Sequence, residues 1–186
     1  MRVIAGRLKG RLLTAPQGRL VRPTADRARE TLFNILAHGR FSDFALEGAV
    51  VLDAFAGAGT LGFEALSRGA ARLHFLDSDR AAVKAVEANA SRLGVEDAIE
   101  THAADATKPP AAPEPCDFAL LDPPYESGLA APALVALDRM RWLKPKALAV
   151  IELGAKEAFA PPAGFAIVHE RAVGAARFVF LEKAGR

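Results

Sequence analysis

Disulfide bridges, membrane spans and thiolate metal sites all need residues that this chain does not supply. It holds one cysteine, Cys116, so no internal disulfide can form. Lying within an apolar run, that cysteine reads as core rather than nucleophile. No apolar run approaches the ~20 residues of a membrane span. The opening Met1-Arg-Val-Ile-Ala-Gly-Arg lacks the apolar centre of a secretory signal. The four histidines are scattered without metal-ligand spacing, so no metal is expected. These absences lead us to expect a reducing, cytoplasmic setting with no membrane partner.

Acidic residues are scarce in one place. Residues 1–40 carry nine Lys/Arg against Asp26 and Glu30, a net of +7, while the remainder carries 15 bases against 20 acids, a net of −5. The overall charge of +2 conceals this division. A basic arm of this kind suits a polyanion, although a solvated charged face would have the same composition. Arg7, Lys9, Arg11, Arg22, Thr24, Arg27 and Arg29 are the expected contacts. With 186 residues, 51% of them apolar, one compact domain and a small appendage are expected. The division falls between an extension over 1–40 and a main domain over 41–186, in a monomer.

Within the extension, basic and small apolar residues alternate over residues 2–22 with Gly6, Gly10 and Gly18 as punctuation, predicting short strands or a hairpin. Thr24 is the expected N-cap of a helix through Ala37, with Ala28, Leu32, Ile35 and Leu36 on its apolar stripe. Arg29 and Glu30 could equally form surface ion pairs, which are worth little. Beyond residue 48, β-rich and helical segments alternate. The runs are Ala49–Leu52, Arg72–Leu76, Ala98–His102, Cys116–Leu121 and Ala147–Glu152, closed by a hairpin over Phe165–Arg171 and Arg177–Glu182. Helices are expected from Thr60, from a Ser78-Asp79 cap to Gly94, and over Leu129–Met140. Asn89 is placed on the surface of the second of these, with an approach to the rim of a cofactor pocket as the alternative. Lys108–Pro115 reads as a stiff proline-rich connector. This order predicts an α/β fold with a doubly wound, Rossmann-like, seven-stranded sheet.

The first strand runs into Asp53-Ala-Phe-Ala-Gly-Ala-Gly59, and Gly57-Ala-Gly-Thr-Leu-Gly62 satisfies G-x-G-x-x-G at a strand–turn–helix junction. That motif alone would suit NAD. Three acids favour S-adenosylmethionine instead. Asp53 can meet the ammonium of the cofactor's amino-acid portion, with Gly57 and Gly59 bringing N–H groups toward its carboxylate. Asp77 can accept from the ribose hydroxyls, and Ala104-Asp105-Ala106 can read the adenine edge, Asp105 accepting from the amino group. Phe55, Thr60 and Ser78 complete the expected cofactor contacts.

About sixty residues on stands Asp122-Pro123-Pro124-Tyr125, at the carboxyl end of a buried strand, where ligands bind in open α/β sheets. A carboxylate and a rigid proline carbonyl offer two acceptors, matching the two hydrogens of an –NH2 group. Tyr125 offers a face on which a base can stack, worth about 1–3 kcal/mol. Acceptors set where an aromatic amine becomes tetrahedral and positive stabilise the transition state above the ground state. Donor pocket and amine-gripping lip together predict methyl transfer to the exocyclic nitrogen of a nucleic-acid base. An ordinary strand-end turn is the simpler alternative for the tetrapeptide taken alone.

The segments Arg22-Pro-Thr-Ala-Asp-Arg-Ala-Arg-Glu-Thr-Leu-Phe-Asn-Ile-Leu36, Val51–Ala70 and Asp122–Tyr125 resemble the RsmD family, bacterial methyltransferases that modify a guanine N2 in 16S ribosomal RNA. The resemblance covers nearly the whole chain. It implies a class I methyltransferase fold, S-adenosylmethionine as cofactor and a target in the 30S subunit or its assembly intermediate. It places cofactor contacts at Asp53, Gly57, Gly59, Asp77 and Asp105, and the target base at Asp122–Tyr125. Two positions depart from the family pattern: Ala58 stands where Ser is frequent, and Val173-Gly174 where Tyr-Gly is common. Methylation of adenine N6 or cytosine N4 in DNA uses the same lip, and a non-catalytic RNA-binding assembly module could retain the fold. An NAD oxidoreductase is the third alternative.

Overall fold

The computed structural model describes residues 1–15, 23–39, 41 and 44–185; Gly18 and Arg22 lie outside them. Seven strands form one sheet: β1 (Val50–Ala54), β2 (Arg72–Asp77), β3 (Ile99–Ala103), β4 (Cys116–Leu121), β5 (Leu143–Gly154), β6 (Phe165–Val173) and β7 (Ala176–Lys183). Their order is β3-β2-β1-β4-β5-β7-β6. The first five are parallel, and β7 runs antiparallel between β5 and β6. Among the described residues the α-helices are α1 (Pro23–His38), α2 (Thr60–Ser67), α3 (Arg80–Leu93) and α4 (Ala130–Arg139).

Side chains alternate across the pleat, so each buried strand feeds two cores. Val51, Phe118 and Val150 join Phe63 of α2, Val86 of α3 and Leu32 and Phe33 of α1 on one face. Leu52, Leu121 and Ile151 meet Leu134 and Leu137 of α4 and Trp142 on the other. Cys116 is fully buried, and burial pushes its thiol up to about 12, which removes it as a nucleophile.

Local chemistry sets the helix ends. Asp79 caps α3 by accepting from Ala81 N–H, and Gly94 closes it in the left-handed conformation. Helix α1 begins at Pro23, ahead of the expected Thr24 cap. Proline fits a first turn, where its missing N–H would have had no helical partner. Strand β5 is longer than the apolar run Ala147–Glu152. It takes in Lys144-Pro145-Lys146 through a register irregularity against β4 between Cys116 and Phe118.

The N-terminal arm is less regular than the expected hairpin. It is a tight loop with one antiparallel bridge, Arg2 to Leu12. Its Val3, Leu8 and Leu13 enter the same core as α1 and β1. Four of its backbone N–H groups, those of Ile4, Ala5, Leu8 and Thr14, turn to side chains on α2 and α3. Ile4 and Ala5 donate to the two oxygens of Glu64 at 2.7 and 3.1 Å, and Leu8 donates to Ser67 Oγ at 2.9 Å. Thr14 N–H donates to Asn89 Oδ1 at 2.8 Å, and Asn89 Nδ2 returns bonds to Thr14 O and Ala58 O. Asn89 is therefore fully buried rather than on the helix surface, where we expected it. It sits three residues after Val86 and four before Leu93, on the apolar stripe of α3.

Candidate functional site

Each of the five parallel strands delivers a carboxylate at, or within two residues of, its carboxyl end: Asp53, Asp77, Asp105, Asp122 and Glu152. All five line two neighbouring cavities of about 530 and 180 Å³. Phe55, Asp122 and Glu152 are common to both.

The glycine loop is held by two of these acids. Asp53, 1% exposed, accepts from Gly62 N–H at 2.8 Å. Asp77 accepts from Gly57 N–H at 2.8 Å and from Asp79 N–H at 2.9 Å. Gly59 N–H is bonded to Ala56 O at 2.8 Å. The Gly57 and Gly59 N–H groups, expected to face a cofactor carboxylate, are bonded within the protein here, to Asp77 and to Ala56 O. The glycines serve shape instead. Gly59 takes φ 76 at the start of α2, and a side chain at Gly62 would overlap the Phe75 ring.

Burial drives the Asp53 carboxyl well above its ordinary value, the Gly62 bond opposing and Asp122 and Asp77 adding to the rise. Asp105 is held low by Thr107, whose N–H and hydroxyl both donate to its Oδ1 at 2.8 Å. Ser78 and Ala106 line the larger cavity with Asp77 and Asp105, and Thr60 lines the smaller with Asp53. Ala104 packs against the core beneath β3 rather than lining either cavity, and its N–H donates to Asp77 O.

All four residues of the lip Asp122–Tyr125 line the larger cavity. Asp122 N–H reaches Ala54 O at 3.3 Å, tying the lip to the end of β1. Tyr125 is 43% exposed, and its hydroxyl donates to Glu152 Oε1 at 2.7 Å. Burial raises the Glu152 carboxyl, while that hydroxyl and Arg29 pull it down. Glu152 was not singled out in the sequence, where it reads only as the end of a strand. Its place follows from register, since Ile151 pairs with Leu121 and sets Glu152 beside Asp122. Phe55 (φ 62) and Glu126 (φ 58) flank the cavity in left-handed backbone, which costs about 1–3 kcal/mol each and clusters at functional sites.

The basic residues divide. Arg7, Lys9, Arg11 and Arg27 are exposed, and Arg11 donates to Arg92 O at 2.7 Å. Arg27 shares a cavity of about 340 Å³ with Arg171. Thr24 lies in the first turn of α1. Arg29 departs from the expected phosphate surface. It is 5% exposed, donates to Arg2 O and Asp26 Oδ1, stands 3.8 Å from Glu64 and lines the smaller cavity. Its Nε has no hydrogen-bond partner, and burial lowers its pKa against the pull of Asp26 and Glu64.

A row of carboxylates is a poor bed for a pyrophosphate and a good one for a molecule bearing sulfonium and ammonium charges. Those charges suit the acids of both cavities, and Arg29 is the one cationic side chain in the smaller cavity's wall among the described residues. The fold is that of the class I S-adenosylmethionine-dependent methyltransferases. It aligns with the solved structure of yhhF from Escherichia coli at a TM-score of 0.82 and 30% identity, covering 100% of this chain and 99% of that one. HI0767 from Haemophilus influenzae gives 0.76 and 30%, over 98% of each chain.

The family model described as Conserved hypothetical protein 95 matches residues 1–182. Ribosomal RNA small subunit methyltransferase D of Haemophilus influenzae is 34% identical over 94% of this chain and 89% of its own. Its namesake in Escherichia coli K12 is 33% identical over 94% and 85%. The chain belongs to this family, the RsmD family of ribosomal RNA methyltransferases. S-adenosylmethionine is its cofactor.

Proposed function

We propose that the chain methylates the exocyclic N2 of a guanine in 16S ribosomal RNA, acting on an assembling 30S subunit in the cytoplasm. The observation that carries this reading is the junction of the acidic strand ends with the Asp122–Tyr125 lip in one pair of connected cavities. When bound, S-adenosylmethionine supplies an electrophilic methyl group on its sulfonium. Asp53 and Arg29 hold the ammonium and carboxylate of its amino-acid end, Asp77 the ribose, and Asp105 with Ala106 the adenine. Asp122 and the Pro123 carbonyl accept from the two N2 hydrogens and orient the nitrogen. Pro124 is less suited, because its carbonyl already accepts from Ser127 N–H at 3.2 Å. Tyr125, tethered through its hydroxyl, stacks on the guanine after that base leaves its own stack, at a cost of a few kcal/mol. The N2 proton passes to Asp122 or to solvent.

Residues 1–40 act as the docking extension for the domain over 41–186. Arg7, Lys9, Arg11, Arg22 and Arg27 track phosphates, and Arg171 joins them across the α1–β6 cleft. A monomer suffices for this arrangement, since one chain supplies both cavities and the lip. The test is transfer of radiolabelled methyl groups to undermethylated 30S particles and to protein-free 16S rRNA, followed by mapping of the modified base. Label on one guanine N2 of the particle supports the reading. Label on adenine or cytosine, or equal use of DNA, contradicts it.

A further inference from the structure

Three side chains outside the cofactor cavities converge on one face of the sheet edge. His74 on β2 is in register with Glu100 on β3, and His102 lies two residues further along β3, so all three share a face. His74 Nδ1 and His102 Nε2 are 3.3 Å apart. Each stands 3.7 Å from a Glu100 oxygen, His74 Nδ1 from Oε2 and His102 Nε2 from Oε1. The three potential ligand atoms fall within 4.8 Å of one another. Two ligands bound tetrahedrally at about 2.0–2.1 Å from one Zn²⁺ would be roughly 3.3 Å apart, which is the imidazole spacing found.

The surroundings have the form of a metal's outer support. The far nitrogen of His74, Nε2, stands 3.2 Å from Glu114 Oε1, and Arg72 donates to that same oxygen at 3.0 Å. A carboxylate on the second ring nitrogen fixes the tautomer that turns the first nitrogen's lone pair toward a metal. Trp142 packs edge-on against both imidazoles, giving the site an apolar wall. His74 is fully buried, whereas Glu100 is exposed, so one side remains open to solvent and to a water ligand. Spacing along the chain conceals this group, because strand register brings it together.

We propose that His74, His102 and Glu100 form a divalent-cation site for a zinc-class ion, with Glu114 as the orienting carboxylate. Two imidazoles and one carboxylate suit a borderline ion better than Mg²⁺ or Ca²⁺. The ion would clip edge strand β3 and the connector carrying Glu114 to β2, three residues from Asp105. A metal-free account also exists. His102 Nε2–H can donate to His74 Nδ1 while His74 Nε2–H donates to Glu114, a closed hydrogen-bond chain that needs no ion.

The two accounts separate when the chelator-treated full chain is titrated with Zn²⁺, and with Co²⁺ as a spectroscopic probe. The proposal expects saturation near one equivalent, roughly one ion per site. It also expects the visible absorption of low-coordinate cobalt and a higher melting temperature with metal. H102Q and E100Q should abolish all three signals, and E114Q should weaken binding about 10–100-fold. E100Q changes an exposed side chain, so it keeps the test readable if H102Q is poorly folded. Absence of a saturable site, or a site whose affinity E100Q and H102Q leave unchanged, overturns the proposal in favour of the hydrogen-bond chain.

Discussion

The carboxyl edge of the sheet and the N-terminal arm are built on opposite plans. At the edge, acids face cavities, and two of them also hold the glycine loop through Gly57 and Gly62 N–H groups. The loop therefore carries its own supports. The arm has bases outside and is fastened from within by polar groups of other elements: Glu64, Ser67 and Asn89. Its place is borrowed from α2 and α3. The contrast is sharpest between two arginines two residues apart in sequence, on opposite sides of α1. Arg27 faces solvent, while Arg29 is sealed between Asp26, Glu64 and the smaller cavity. Charge density alone treats them alike; burial separates them.

If the arm's position is borrowed, removing its anchor should be the most damaging change to stability. Glu64 is fully buried, and it receives two arm N–H groups while pairing with Arg68 at 2.7 Å. E64A strands those donors and leaves Arg29 without one of its buried partners. The expected loss is about 3–5 kcal/mol, or roughly 6–20 °C in melting temperature. Protease cleavage within residues 1–15 should accelerate in parallel. A melt like that of the wild type would show that the arm holds itself.

At the edge the same kind of substitution should have the opposite sign. The folded pKa of Asp53 lies above its unfolded value. Its proton therefore stabilises the fold below the unfolded value, and that contribution is lost as pH rises through the folded one. D53N keeps an acceptor for Gly62 and removes this loss. Stability at neutral pH should rise by about 1 kcal/mol, roughly 2–4 °C, and melts should vary less between mildly acidic and neutral pH. S-adenosylmethionine should bind more weakly to D53N, because its ammonium loses a charge partner. In the wild type, binding should release the Asp53 proton, so affinity should tighten as pH rises toward the folded value. Calorimetry in buffers of different ionisation enthalpy measures that proton directly.

The smallest effect belongs to the exposed arginines. R27A should weaken RNA binding only a few-fold, while the slope of log affinity against log salt falls by about 1. Methyl transfer at saturating substrate should be unaffected. R29A, by contrast, should alter folding and cofactor affinity before it alters the salt slope.

These contrasts also mark how far the sequence could be read. The seven strand segments, the closing hairpin and α3 with its Asp79 and Gly94 caps follow from apolar runs and local turn chemistry, which nearby residues decide. Four of the five edge acids were legible because each closes an apolar run or adjoins its end. Glu152 escaped notice because its neighbour Asp122 arrives through sheet register. Asn89, Glu64 and Arg29 were hidden for a related reason. Each is a polar residue on a buried helix face, and its partners lie 59 or more residues away for Glu64 and Asn89 with the arm. Asn89 did leave a trace, since it occupies an apolar-stripe position. The arm was expected to pair with itself because alternation suggests strands; the Val3, Gly10 and Leu13 N–H groups do bond within it, while those of Ile4, Ala5, Leu8 and Thr14 find side-chain acceptors on α2 and α3.

The central claim is that the acidic edge holds the donor while the Asp122–Tyr125 lip grips the amine, as two separable tasks. Measuring kcat and S-adenosylmethionine Kd together for D122A tests it most directly. The account predicts that kcat falls by about 10²–10³-fold while Kd stays within a few-fold of the wild type. A Kd that rises in step with the loss of kcat, or methylation that survives D122A, would contradict it.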